Sequence, residues 1–124
     1  MTEDAIFQFV KNTFRSVWPL ELLLVLSQEP ARPWSVGALV RELRASVPLV
    51  IDGLAVLQAA EFVVGDRDRT WRFLPVSDQQ AALARELIDL YKSKPRSVAR
   101  AIFAAPADRI QTFADAFRLR KDRC

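Results

Sequence analysis

Histidine is absent from this sequence, cysteine occurs once and glycine three times. Each scarcity closes a class of chemistry. Without an imidazole there is no side chain that ordinarily titrates near neutral pH, no Ser–His or Cys–His couple, and no nitrogen ligand for the common zinc sites. The one cysteine, Cys124, is the final residue and has no partner for an internal disulfide, so nothing points to an oxidising compartment. Gly37, Gly53 and Gly65 are too scattered to form a phosphate-cradling loop. The opening stretch "MTEDAIFQFVKN" lacks the basic start and small-residue cleavage pattern of a secretory signal. The most apolar run, from Val17 to Leu26, contains Pro19 and Glu21 and is too short to span a bilayer. The expectation is a soluble cytoplasmic protein without membrane contact.

What is present is the material of a core. Of the 124 residues, 51% are hydrophobic and 27% charged, which suits one folded, mainly helical domain over 1–124 and excludes a disordered chain. The net charge of +3 tilts towards anionic partners without requiring them. Asp66 and Asp68 form an Asp-x-Asp pair that could hold a metal, but the flanking arginines oppose it. Tyr91, Lys92 and Lys94 stand near one another in no recognisable pattern. No nucleophile–base pair can be nominated, so the chain reads as non-catalytic, with no cofactor and no metal.

Periodicity divides the chain. Ile6, Phe9, Val10, Phe14 and Val17 follow helical spacing, and Pro19 restarts or kinks the helix before the apolar stretch Leu20 to Leu26. These N-terminal helices occupy 1–29, and "QEPARP" is a loop. Ser35 is an N-cap for a helix through Arg44, with Val36, Leu39, Val40 and Leu43 inward. Pro48 lies in the first turn of the next helix, which runs to about Ala60. Residues 62–64 and 70–74 predict two strands around the polar tip "GDRDR". "SDQQ" has the pattern of a capping box and opens a helix to about Tyr91. Pro95 begins another, with Val98, Ile102 and Phe103 inward. Pro106 begins the last, with Ile110, Phe113, Ala114 and Phe117 on one stripe. The C-terminal helices thus fill 77–120, and their last stripe is either core or a homodimer seam.

The order of short extended piece, helix, turn, helix and hairpin over residues 34–76 resembles the core of MarR-type and related winged helix-turn-helix bacterial regulators. The fold class implied is mainly α with a small β-hairpin: a winged helix-turn-helix with extra N- and C-terminal helices. In that pattern Val36, Leu39 and Leu43 are inner positions of the first helix, and Leu54, Leu57 and Phe62 are apolar anchors of the recognition helix and following strand. Gly65 to Arg69 would be the wing. Two departures stand out. The recognition helix of such regulators carries side chains that donate to DNA, and Glu61 replaces the glycine that often ends this helix.

If Val50, Leu54 and Leu57 face the core, the outward arc holds Pro48, Leu49, Ile51, Asp52, Ala55, Val56 and Ala59. Asp52 would repel phosphate, and the remaining side chains offer no bidentate donor to a base edge. Three readings stay open: later helices cover the arc, it remains exposed as a protein-docking face, or it reads DNA through apolar contacts. Basic candidates for DNA lie elsewhere: Arg67, Arg69 and Arg72 on the hairpin, Arg41 and Arg44 on the preceding helix, and Arg118, Arg120 and Lys121 in the tail "RLRKDRC". The expectation is a transcriptional regulatory protein that approaches DNA backbone through arginines and a protein partner through residues 48–59. The alternative is an adaptor on the same scaffold that binds only protein.

Overall fold

A computed structural model describes residues 2–103 of the chain. The element order is α1 (Glu3–Thr13), α2 (Trp18–Gln28), β1 (Trp34–Ser35), α3 (Val36–Leu43), α4 (Val47–Ala59), β2 (Val63–Gly65), β3 (Thr70–Phe73) and α5 (Asp78–Ser93). Residues 95–103 are also helical and are designated α6. The fold is mainly helical with a small three-stranded antiparallel sheet. The expected helix from Pro106, with its stripe Ile110, Phe113, Ala114 and Phe117, lies outside the described residues.

The first helix is shorter than its apolar spacing suggests. Thr2 caps it by accepting from the Ala5 N–H at 3.1 Å, and Glu3 and Asp4 complement the positive end of its dipole. It stops at Thr13, leaving Phe14 extended and Val17 before the next helix rather than on one continuous stripe. Pro19 explains the restart rather than the stop: in a continuous helix its ring would clash with the Arg15 carbonyl, and it sits instead in the first turn of α2. Phe14 is nevertheless fully buried and meets Phe9 edge-on, with ring centroids 5.9 Å apart.

Helix α4 is built as its sequence demands. Ser46 caps it by accepting from the Leu49 N–H at 3.4 Å, and Pro48 sits in the first turn where its missing N–H costs nothing. Val50, Gly53, Leu54 and Leu57 are buried. Gly53 is the point of closest approach to α2: a Cβ placed there would lie 2.5 Å from Leu22 Cδ1. The helix ends in a Schellman arrangement, with the Phe62 N–H donating to the Leu57 carbonyl at 3.0 Å and the Glu61 N–H to the Gln58 carbonyl at 2.9 Å. Glu61 therefore occupies the left-handed region, φ 67°, where glycine fits without strain.

Instead of a lone hairpin, the chain forms a sheet of order β1-β3-β2. The extended piece before α3 pairs with β3, Trp34 opposite Trp71 and Ser35 opposite Thr70. On the other side Val63, Val64 and Gly65 face Phe73, Arg72 and Trp71. The Trp71 ring covers Gly65, where a Cβ would stand 3.1 Å from ring carbons. The sheet thus fastens the start of α3 to the hairpin that follows α4.

Two expectations about the later helices are corrected. Ser77 does cap α5, accepting from the Gln80 N–H at 3.1 Å, but Gln80 does not complete a reciprocal capping box. Its side-chain amide donates to the Ala60 carbonyl at 2.7 Å and so ties the start of α5 to the end of α4. In α6, Val98 and Ile102 are buried as expected, whereas Phe103 is 59% exposed. Positions 98 and 102 share one helix face; residue 103 is turned about 100° away from 102 by the helical step. The buried side chains of α1 to α6, with Trp34, Phe62 and Val63, form one cluster. Among the described residues no helix is long and apolar enough to cross a membrane.

Candidate nucleic-acid and protein interfaces

The hairpin tip is organised by Asp66. Its carboxylate accepts from the Thr70 hydroxyl at 2.8 Å, the Thr70 N–H at 3.2 Å and the Asp68 N–H at 3.0 Å. The Thr70 hydroxyl first, then the Thr70 N–H, hold this carboxyl below the usual carboxylate range. Arg72 Nη2 lies 3.5 Å from the same carboxylate. Asp66 thereby closes the turn. The expected trio of arginines is divided: Arg72 is half-buried and engaged, whereas Arg67 and Arg69 are exposed at the tip. Arg69 holds φ 61°, and its N–H donates to the Asp66 carbonyl at 3.1 Å.

Arg41 and Arg44 are both exposed on or beside α3. Arg44 ends that helix in the left-handed conformation, φ 54°. Arg41 lies back over the open surface at Gly37, whose Cβ position is 3.7 Å from its Nη1. Arg118, Arg120 and Lys121 lie outside the described residues.

The outer arc of α4 is exposed. Leu49 is 37% and Ile51 50% accessible, and Pro48, Asp52, Ala55 and Ala59 are exposed with them. Val47, not placed on the arc by the wheel, joins it at 49%. Val56 is the exception: it is half-buried against the core and, with Ala59, borders a cleft of about 370 Å³ closed on its far side by Phe9, Asn12 and Thr13 of α1. The exposed part of the arc offers mainly aliphatic surface and a single carboxylate; at its edge, two turns on from Ile51, exposed Gln58 carries the one side-chain N–H of α4.

Several polar contacts escape sequence reasoning because their partners are remote. The Tyr91 hydroxyl donates to the Glu21 carboxylate, joining α5 to α2. Burial first, and then this bond to a carboxylate, push the Tyr91 phenol well above its ordinary value. Lys94 Nζ pairs with Glu3 at 2.9 Å. Arg32 stacks its guanidinium 3.7 Å from the centre of the Trp34 ring while pairing with Glu29 at 3.0 Å. Among the described residues no three His, Cys, Asp or Glu side chains gather as a metal site. No protein-family description, curated protein or solved structure matches this chain.

Proposed function

We propose that this chain is a non-catalytic regulatory protein whose residues 34–76 form a winged helix-turn-helix, acting in transcription with its two binding roles divided between separate surfaces. Arg67 and Arg69 on the hairpin, with Arg41, Arg44 and the basic tail, contact nucleic-acid backbone. The largely aliphatic outer face of α4, with Asp52 as its single charge, meets a protein. Support for the scaffold comes from the chain order, in which α3 and α4 lie between β1 and a hairpin that pairs back onto β1. The observation that carries the division of roles is the α4 arc: Leu49 and Ile51 are exposed where a base-reading helix would carry donors. Exposed aliphatic surface of this kind marks interfaces. Among the described residues neither Arg67 nor Arg69 is in an ion pair, so both are available to phosphate.

Fluorescence anisotropy of a labelled generic duplex tests the nucleic-acid half. Binding should weaken with salt at a log–log slope of about −0.9 for each phosphate contacted. Arg67→Glu with Arg69→Glu should flatten that slope by about two contacts. Absence of binding at low salt would favour a second reading, a protein-only adaptor. Asp66 engaging Arg72 and Asp52 standing on α4 are the observations on its side.

A further inference from the structure

A cleft of about 540 Å³ lies between α1 and α6, and no residue of the hairpin or of α4 lines it. Asp4, Phe7 and Lys11 follow one another at helical spacing on α1, and Ser97, Arg100 and Ala101 do so on α6. Two helix stripes therefore border a common space that their own side chains do not fill. The cleft is broad and open to solvent on one side, so a ligand would lie along it rather than be enclosed. Its chemistry is mixed in a definite way. Phe7 and Ala101 supply apolar surface, Gln8 and Ser97 supply neutral hydrogen-bonding groups, and Lys11 and Arg100 outnumber Asp4. The ion pairs among the described residues are Arg32–Glu29, Arg72–Asp66 and Lys94–Glu3, so neither cation of the cleft is neutralised by one of them.

We infer that this cleft binds a small organic monoanion with a flat apolar body. The carboxylate or sulfonate lies between Lys11 and Arg100, and the apolar body lies against Phe7 and Ala101. A cationic ligand would meet two like charges against the single carboxylate of Asp4, and a purely apolar one would gain nothing from either cation. The inference does not depend on the winged-helix reading. A bound ligand would bridge α1 and α6 and stabilise their packing by mass action.

Titration of the ¹⁵N-labelled full chain with 2-naphthoate, followed by amide NMR, tests this, with neutral 2-naphthamide as the control of equal shape. Saturable shifts should centre on Phe7, Lys11, Ser97 and Arg100, with 2-naphthamide binding about tenfold more weakly. Lys11→Glu and Arg100→Glu, both at solvent-accessible positions, should each weaken 2-naphthoate about tenfold, and Asp4→Asn should tighten it. Thermal unfolding of each variant separates loss of binding from loss of fold. Equal affinity for acid and amide, shifts that map to the α4 arc instead, no saturable shift at millimolar 2-naphthoate, or folded charge-reversed variants with wild-type affinity would each overturn the inference.

Discussion

Replacing Gly53 by alanine tests what holds α4 in the orientation that exposes its aliphatic arc. Two effects oppose each other. Alanine is favoured over glycine inside a helix by about 1 kcal/mol. The added methyl, however, would stand 2.5 Å from Leu22 Cδ1, while ordinary carbon contacts sit at about 3.5–4.0 Å. Helix or side chain must therefore move by about 1 Å. Leu22 is fully buried in the central cluster and has little room to turn away. Overpacking of this kind costs about 1–3 kcal/mol. The clash outweighs the propensity, and the net expectation is a loss of about 1 kcal/mol, read as a lower urea midpoint in far-UV circular dichroism. Leu22→Ala alone should cost about 2–5 kcal/mol through the cavity it leaves. Combined with Gly53→Ala it should cost less than the sum by about 1 kcal/mol, because the new methyl enters that cavity. A Gly53→Ala variant more stable than wild type by the full propensity difference, with an additive double mutant, would refute the close-approach explanation.

Three further substitutions probe the local devices. Glu61→Gly should stabilise the protein by a few tenths to about 1 kcal/mol, since relief of left-handed strain exceeds the added chain entropy of glycine; thermal unfolding reads the change. Gln80→Ala should cost about 1 kcal/mol in urea unfolding by freeing the Ala60 carbonyl from its 2.7 Å donor. Asp66 has a folded pKa below its unfolded one, so its contribution is complete above the ordinary carboxylate value of about 4 and is lost as pH falls through the lower folded value. The stability advantage of wild type over Asp66→Asn should therefore shrink on acidification below about pH 4, and a difference that grows instead would contradict the hydrogen-bonding role.

What could be read from the sequence was governed by local rules. Ser35 and Ser77 announce helix starts because a hydroxyl reaches an N–H three residues on, and both do so. Val50, Leu54 and Leu57 announce the inner face of α4 because helical spacing alone places them together. The α4 arc could be named but its exposure could not, since that depends on whether a distant segment lies over it. Gly53 carries no local signal at all: its role is set by Leu22, on a helix separated from it by α3 and β1. Glu21 and Tyr91 are 70 positions apart, and no periodicity joins them. Arg72 read as equivalent to Arg67 and Arg69 in the sequence, and only the turn geometry around Asp66 sets it apart. Phe103 is apolar, as the inward positions of α6 are, but the helical step of about 100° from buried Ile102 turns it to solvent.

The division of roles between hairpin and α4 is tested most directly by titrating the ¹⁵N-labelled chain with duplex DNA at low salt and following each amide. The proposed division predicts that residues 66–70, with Arg41 and Arg44, shift together and return as salt is added, while Leu49, Ile51 and Ala55 stay in place. Largest shifts on that outer face of α4, persisting at moderate salt, would mean that the aliphatic helix itself enters the groove, and would contradict it.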